Sequence, residues 1–487
     1  GSPVCPAAQC GFSCDAGYHL GGASCNADCL PNSDDPSTDP CVVADGLGVF
    51  VAPTGNDSND GSKEHPFGSI AHAMSTNARV YACGTFTAEQ LTVTGNTMDG
   101  TTVYGGFDCA SWTYSASTPT KLAPTAAGFA LTVNGLTKGV TFEDFEFDAI
   151  AAPSSVPASG AGVSSQTVIV NGSAGVVFRR VVINAGTGQP GAQGSSGVNG
   201  WSGNATGGNA ASGTTAGGAI SCACGSTGGQ GGAPGTFNND TLVFAAGTNG
   251  GDGTQTGIAN HGVASSSPTS HCSAGDWNGV TTGGPGSPGV GASGAGLLGY
   301  PAGWTNAAIG GAGGLASVGE GGGGGGGFYY TVGTGGGTPN GAGGGGGCGG
   351  CGGAGGNGGT AGGSSIALLM IGSAVTLDAS TLNAASGGTG GLGGPGLSGQ
   401  LGGGPGSGSG NNSCAGGAGA QGGLGGAGGG GVGGASIAVA YSGAAPTHVG
   451  TVTETVAPAA SGGTPTSGNS NAGTTGADGA SVKEQAF

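Results

Sequence analysis

The sequence predicts a mostly β protein, a parallel β-helix interrupted by long glycine-rich insertions of polyproline-II or polyglycine-II helices. Three observations predict it: segments of alternating apolar residues recur, glycine recurs at every third residue, and cysteines are numerous. Glycine supplies 125 of 487 residues, against about 7% in ordinary proteins. Disorder normally accompanies high charge and few apolar residues. Here 6% of residues are charged and 36% are hydrophobic, so the composition favours an ordered glycine-rich architecture.

Recurring strand patterns predict the coils of the β-helix. Three segments align on one another: 139–149, 175–185 and 374–384. In each, apolar and polar residues alternate as in a strand with one buried face. A two-residue interruption then resets the alternation, as a bend between two strands would. Further β-rich runs precede them at 129–133, 167–170 and 366–371, and residues 437–441 and 449–456 predict one more coil. Repeated units that cannot bury a face alone indicate a solenoid.

The segment from Val49 to Ser62 begins with a strand-like run and continues into an Asx/Gly-rich turn. It is followed by His65-Pro66-Phe67-Gly68-Ser69-Ile70. This stretch resembles the opening of secreted right-handed parallel β-helix proteins of the pectate-lyase-like superfamily, where a first strand and such a turn precede a capping helix. Residues 71–74 fit a short amphipathic helix. The resemblance implies a right-handed β-helix and no particular activity.

Glycine keeps a strict three-residue period in 188–203, 341–362, 387–402 and 416–434. Three residues per turn is the polyproline-II period, with glycine on the side where chains crowd. A collagen triple helix would need longer repeats with many prolines, and a flexible linker would not keep one phase. The remaining interpretation is a bundle of antiparallel polyglycine-II helices, which resembles springtail antifreeze proteins and certain phage tail-fibre adhesins.

Fourteen cysteines in a chain with little charge indicate an extracellular disulfide framework. Six of them lie in 1–45, a segment that resembles small EGF-like modules. We expect Cys83 to pair with Cys109 across neighbouring coils. Six others should gather at the far turns of the bundle and pair among themselves. The cysteines are Cys5, Cys10, Cys14, Cys25, Cys29, Cys41, Cys83, Cys109, Cys222, Cys224, Cys272, Cys348, Cys351 and Cys414. For the pairs Cys222-x-Cys224 and Cys348-x-x-Cys351 the alternative is a zinc site with His261 and His271, although the spacing matches no zinc-finger pattern.

The composition changes along the chain predict seven regions. They are a Cys-rich disulfide module at 1–45, the β-helix opening, cap and first coils at 46–186, a polyglycine-II insertion at 187–363, a β-helix coil at 364–386, a second glycine-rich insertion at 387–434, a last coil at 435–460, and a Gly/Ser/Thr-rich tail at 461–487.

The charge distribution excludes several partners. The net charge is −17, and no Lys or Arg lies between Val181 and Val482. Nucleic-acid binding needs Lys or Arg to neutralise phosphates, and an anionic membrane surface needs them too. No apolar run approaches the roughly 20 residues that span a bilayer. We therefore expect neither nucleic-acid binding nor membrane insertion.

The search for chemistry yields no convincing catalytic constellation. Glu143 and Asp144 are expected to form ion pairs with Arg179 and Arg180, one coil later at the same bend. Four oxygen-bearing residues are candidate calcium ligands, with an Asx-rich turn as the alternative. These are Asn56, Asp57, Asn59 and Asp60. No other cofactor is expected.

Aromatic residues beside polar ones in the predicted loops of the bundle are candidates for contact with glycan or protein. They are Asp276, Trp277, Tyr329, Tyr330, Tyr300 and Trp304. The alternative is that they cover the bundle ends as hydrophobic plugs.

The predicted function is that of a secreted or cell-surface structural or adhesive protein, self-assembling into a fibre or layer. The alternatives are a polysaccharide lyase or hydrolase of the β-helix superfamily and an ice-binding protein.

Overall fold

The computed structural model describes residues 46–238, 341–410, 413–466 and 471–487, together with short pieces of 1–45 and 239–340. Within 1–45 it describes four short strands that pair as two antiparallel hairpins, and one 3-10 helix. They are β1 (Pro3–Val4) with β2 (Gly11–Phe12), β3 (Tyr18–Gly21) with β4 (Ser24–Ala27), and the 3-10 helix Pro40–Val43.

Three parallel sheets form the body of the protein. Sheet 1 contains β5 (Val49–Val51), β6 (Arg79–Cys83), β9 (Thr101–Phe107), β12 (Val140–Glu143), β15 (Val176–Arg179), β22 (Val375–Asp378) and β25 (Thr447–Val449). Sheet 2 contains β7 (Thr85–Phe86), β10 (Thr120–Leu122), β13 (Phe145–Asp148), β16 (Val182–Ala185), β23 (Thr381–Ala384) and β26 (Thr453–Val456). Sheet 3 contains β8 (Leu91–Thr94), β11 (Leu131–Asn134), β14 (Ser165–Asn171), β21 (Ser365–Ile371), β24 (Ser436–Ser442) and β27 (Ser481–Ala486).

The chain visits the three sheets in rotation, and each strand pairs in parallel with its equivalents one coil before and after. The fold is therefore mostly β with parallel sheets, which is consistent with the predicted parallel β-helix. The aligned segments 139–149, 175–185 and 374–384 each supply one strand of sheet 1 and one of sheet 2, as predicted.

Side chains at equivalent positions of successive coils stack into columns, and these columns form the core. Phe142 lies opposite Val103 in the coil before and Phe178 in the coil after, and Leu377 continues the column. The rings of Phe142 and Phe178 stack with centroids 6.2 Å apart. All four side chains are buried. Burying apolar area contributes about 25 cal/mol per Å², so each coil is stabilised by the ones next to it.

A left-handed residue forms the bend between sheets 1 and 2. Asp144, Arg180 and Ala379 have φ values of 57°, 51° and 49°, and Gly450 has 63° at the same place in the last coil. The strand register places Glu143, Arg179, Asp378 and Val449 in one row. Each left-handed residue directly follows a member of that row, so the four left-handed residues are equivalent. This residue is the physical cause of the interruption that resets the alternation. Left-handed non-glycine residues are uncommon and strained, and three stacked copies mark a repeated structural device.

The helix α1 (Ile70–Thr76) covers the N-terminal end of the solenoid and buries Ile70, Ala73 and Met74. Its first N–H groups are unsatisfied within a helix. The carboxylate of Glu89 accepts from Ile70 N and Ala71 N at 3.0 and 2.9 Å. The predicted short amphipathic helix is therefore present as a cap. Within the described part of the chain, no helix has the length and apolar character needed to cross a bilayer.

The C-terminal segment differs from the predicted tail at 461–487. Residues 481–486 form β27, which pairs in parallel with β24 and ends sheet 3. This strand pairs with β24, and Val482 and Phe487 pack against the apolar cluster on the outer side of sheet 3.

Candidate functional site

Each long insertion after β13 leaves the β-helix at one corner, between a strand of sheet 2 and the next strand of sheet 3. The insertions occupy 149–164, 186–364, 385–435 and 457–480. Because the flanking strands of consecutive coils stack, the insertions begin and end above one another. We call the described parts of the last three the glycine lattice. The four short strands β17 (Ile220–Ser221), β18 (Thr227–Gly228), β19 (Thr236–Asn238) and β20 (Val243–Ala245) form two antiparallel hairpins within it.

The outgoing segments of the lattice run parallel to one another. Segment 188–211 donates backbone hydrogen bonds to segment 386–407, and the partners advance mainly by three residues at a time. The pairs are Gly188 with Ser386, Gly191 with Thr389, Gly194 with Leu392, Ala205 with Leu401, Gly208 with Gly404 and Ala211 with Ser407, at 2.8–3.0 Å. In the same way, Gly390 donates to Ser461 and Gly393 to Thr464. The glycine period of the sequence is thus also the period of the hydrogen bonds.

The returning segments are likewise parallel to one another. Segment 344–362 donates to segment 414–432 through seven bonds of 2.8–2.9 Å. They join Gly344 to Cys414, Gly347 to Gly417, Gly350 to Ala420, Gly353 to Gly423, Gly356 to Gly426, Gly359 to Gly429, and Gly362 to Val432. Parallel neighbours from different coils were not predicted, since the sequence predicts an antiparallel bundle. They arise because the lattice inherits the stacking of the coils.

Outgoing and returning segments are antiparallel to each other. Within 391–406, every third N–H donates to a carbonyl of 345–360, at 2.7–2.9 Å. Within 416–434, every third N–H donates to a carbonyl of 388–406. Segment 386–407 is therefore bonded to four neighbours, namely 188–211, 345–363, 416–434 and 461–464. A β-strand bonds to at most two, so this is a three-dimensional network of backbone hydrogen bonds.

The close approach of these segments requires glycine. A Cβ atom on Gly353 would lie 1.8 Å from the carbonyl oxygen of Leu397, and one on Gly356 would lie 2.1 Å from that of Gly394. Real Cβ contacts essentially never fall below 3.0 Å. Any side chain at these positions must displace a neighbouring backbone.

The third position of each triplet on segment 386–407 faces solvent instead. The exposed residues of this row are Ser386, Thr389, Leu392, Ser398, Leu401, Gly404 and Ser407. Leu392 and Leu401 are 41% and 54% exposed, and Val198 on the adjacent outgoing segment is 89% exposed. We call this row the outer face. It carries no charged residue.

Three disulfides cross-link the lattice, and one joins early coils. Cys83 pairs with Cys109, as expected from their adjacent coils. The six lattice cysteines pair among themselves, in the bonds Cys222–Cys348, Cys224–Cys351 and Cys272–Cys414. These three are the tip disulfides. The six cysteine side chains of 1–45 lie outside the described residues.

The charged bend residues form a compact ion-pair cluster. The Glu143 side chain is fully buried. It accepts from Arg179 Nη1 at 3.2 Å and from Arg180 Nη2. Arg180 Nε also lies 2.9 Å from Asp144 Oδ1, and Arg179 Nε lies 3.0 Å from Asp378 Oδ2 one coil further on. The predicted pairing is thus present, and Asp378 extends it to a third coil.

The other carboxylates of this region lie along the outer side of sheet 2. Lys121 Nζ lies 2.6 Å from Glu146 Oε2. The amide of Asn184 donates to Glu146 Oε1 at 3.2 Å and to Asp148 Oδ1 at 2.7 Å. The pKa of Asp148 is raised overall, mainly by burial. The hydrogen bond from Asn184 partly offsets this effect, and the charge of Glu146 adds to it. The amide and ammonium groups thus satisfy both carboxylates, as in a structural ladder of polar side chains.

The candidate calcium ligands serve as turn and cap groups. Asn56 Oδ1 accepts from Ser58 N, and Asp60 Oδ1 accepts from Ser62 N and Oγ. The Asp57 carboxylate accepts from Gly68 N, Ser69 N and Ser69 Oγ, where α1 begins. Asn59 Nδ2 donates to the carbonyl of Pro66. The hydrogen bonds follow the Asx-turn alternative, and calcium binding here stays a prediction.

The predicted contact residues of the lattice loops lie outside the described residues. They are Asp276, Trp277, Tyr300, Trp304, Tyr329 and Tyr330. Glycan or protein binding by these side chains therefore stays a prediction.

The outer side of sheet 3 carries a mainly aliphatic cluster across β14, β21 and β24. Ile169, Leu369 and Ala440 are buried there, with Phe129 and Phe487 packed against the same cluster.

Comparison with known proteins adds little. No family model and no curated protein matches the chain. Among solved structures, the chain is similar to a rhamnogalacturonan lyase with 18% identity and a TM-score of 0.15. The match covers 30% of this chain and 39% of the lyase chain, less than half of either protein.

Proposed function

We propose that the chain is an extracellular structural protein, in which a right-handed β-helix carries a bundle of polyglycine-II helices that associates with a second copy through its outer face. The observation that carries the proposal is the three-residue hydrogen-bond period of the glycine lattice, since three residues per turn is the period of this helix type. Bonding to four neighbours favours a rigid body, because each segment is restrained on several sides.

An extracellular location is supported by the four disulfides among the described residues. Disulfides persist in oxidising compartments and are rare in the cytosol. The tip disulfides close very long loops, with sequence separations of 126, 127 and 142 residues. Such cross-links suit a lattice whose glycines lose much backbone entropy on ordering.

Association with a second copy is supported by the chemistry of the outer face. Exposed aliphatic side chains at Leu392 and Leu401 lie in a row that contains no charged residue. Because the net charge is −17, two copies of the protein repel each other electrostatically over most of their surfaces. A face without like charges removes that repulsion locally, and apolar patches on soluble proteins commonly mark interaction sites. The row mixes Leu with Ser, Thr and Gly. Because Leu392 and Leu401 interrupt it, the row lacks the regular array of small residues, often Thr or Ala, expected of an ice-binding face.

Sedimentation velocity over a wide range of protein concentration tests the proposal. We expect dimers or larger species to increase with concentration. The substitution Leu401→Glu should weaken association at least tenfold, because a carboxylate would be buried between apolar faces. Leu47→Glu is the matched control, since Leu47 is 43% exposed but lies before β5. A strict monomer at all concentrations, or equal weakening by both substitutions, contradicts the proposed association.

A further inference from the structure

The last coil carries polar residues where the coils before it carry core residues. In the strand register, His448 lies opposite Leu377, Glu454 opposite Leu382, and Glu484 opposite Val439. Those three apolar side chains are fully buried. Each polar residue comes from a different sheet, and the three meet at the end of the core. This convergence is fixed by the coil itself and needs no loop to bring the groups together.

The three side chains lie within reach of one ion. His448 Nε2 lies 3.3 Å from Glu484 Oε1 and 3.7 Å from Glu454 Oε1. One nitrogen or oxygen from each residue falls within 4.8 Å of the others. The side chains of His448 and Glu484 are 37% and 31% exposed, so one side of the group is open to water.

Glu454 provides an independent sign of a missing partner. Its side chain is only 8% exposed. Its Oε1 atom is buried and has no hydrogen-bond partner among the described residues. Leaving a buried carboxylate oxygen without a partner is costly. A cation bound by Glu454 and Glu484 would supply that missing partner.

From this geometry we propose that His448, Glu454 and Glu484 bind a first-row divalent cation of the zinc type at the C-terminal end of the core. Zinc takes imidazole nitrogen at about 2.0–2.1 Å and carboxylate oxygen at about 2.0–2.2 Å. At a tetrahedral angle, such ligand atoms are separated by about 3.3–3.5 Å. The 3.3 Å and 3.7 Å separations lie close to that range.

The donor set also selects the class of metal. Imidazole suits zinc, copper, iron and nickel, whereas calcium and magnesium prefer oxygen ligands alone. Two carboxylates balance the charge of a divalent ion, and the exposed side leaves a position for water. The proposal is independent of the association proposed above, because the outer face and this end of the core share no residues.

Zinc binding by the full-length oxidised protein tests the inference. Isothermal titration with Zn²⁺ gives affinity, and metal analysis after gel filtration gives stoichiometry. Loss of an outer-shell partner alone costs metal sites about 10–100-fold in affinity. We therefore expect His448→Ala and Glu454→Gln each to weaken one bound zinc by at least about 100-fold. The controls His65→Ala and Glu64→Gln alter exposed residues near α1 and should leave the affinity unchanged.

Two further measurements separate binding from a structural role. The visible absorption spectrum of bound Co²⁺ reports nitrogen and oxygen coordination and should disappear in Glu454→Gln. Zinc should raise the melting temperature of the wild-type protein and not that of His448→Ala. If the wild-type protein binds zinc no more tightly than Glu454→Gln, the inference is wrong. The three residues are then only an ion-pair group that protects an open end.

Discussion

Two adjacent glycines in the lattice are expected to respond to alanine with opposite signs. A Cβ on Gly403 would lie 2.0 Å from the carbonyl oxygen of Thr206, whereas one on Gly404 meets nothing within 4 Å. An alanine at 403 must push its neighbour from 2.0 Å to at least 3.4 Å, the start of ordinary contact. An alanine at 404 extends into solvent from the outer face.

The magnitude follows from the bonds around each position. Overpacking costs about 1–3 kcal/mol. The shift also strains two hydrogen bonds, from Gly403 N to Cys348 O and from Gly419 N to Gly403 O, at 2.8 and 2.9 Å. Each is worth about 1 kcal/mol, so Gly403→Ala should cost about 3–5 kcal/mol. Gly404→Ala should stabilise by about 0.4–1 kcal/mol, because it only reduces the freedom of the unfolded chain.

Thermal unfolding monitored by circular dichroism measures the difference. For a unit of 150–250 residues, one kcal/mol shifts the melting temperature by about 2–4 °C. Gly403→Ala should therefore lower the lattice transition by about 6–20 °C, and Gly404→Ala should raise it slightly. The reasoning is refuted if both variants melt within a degree of the wild-type protein, or if both lose stability equally.

Three other predictions concern the ion-pair cluster, the tip disulfides and one exposed carboxylate. Arg180→Met should destabilise the β-helix by about 3–5 kcal/mol in urea unfolding, because it removes a partner of the buried Glu143. Lys121→Met, at a partly exposed pair, should change stability by less than about 1 kcal/mol. Reducing the tip disulfides should lower the lattice transition well below that of the β-helix, since closing a loop of about 100 residues contributes up to about 4.7 kcal/mol. Equal shifts of both transitions would contradict this. The hydroxyl of Thr137, together with three backbone N–H groups, lowers the pKa of Asp99 to about 2. The ionised Asp99 carboxylate therefore stabilises the folded protein above about pH 4, and this stabilisation is lost as the pH falls towards 2. An NMR titration should give that midpoint, and a Thr137→Val variant should raise it.

The sequence predicts the β-helix coils well because their signal is local. The alternation around Phe142, Phe178 and Leu377 and the left-handed bend that follows each of them lie within eleven-residue segments. The ion pairs of Arg179 and Arg180 could be predicted for the same reason, since one coil separates them from their partners. In each case the stacking rule of a solenoid converts local pattern into contact.

The register of the glycine lattice could not be predicted. A segment with glycine at every third residue can slip by three residues and present the same chemistry again, so Gly188 has no local reason to bond to Ser386. The coils decide this register, because they fix where each insertion starts. The group of His448, Glu454 and Glu484 was missed for a related reason. Its signal is polar residues at inward positions, which become visible only once the last coil is aligned with the one before.

The spacing of the coils accounts for the composition of the insertions. Neighbouring strands lie about 4.7–4.9 Å apart, so segments that leave consecutive coils begin at that spacing. With neighbours on several sides, a segment has no room for side chains on the positions that face them. Only glycine fits there, as at the crowded axis of collagen.

The remaining position of each triplet is free of this constraint. In segment 386–407 that position holds Ser, Thr, Leu, Pro and Gly. The lattice therefore separates the residues that maintain its packing from those that determine its surface. Substitutions in the exposed row should alter binding or association without disturbing the network beneath.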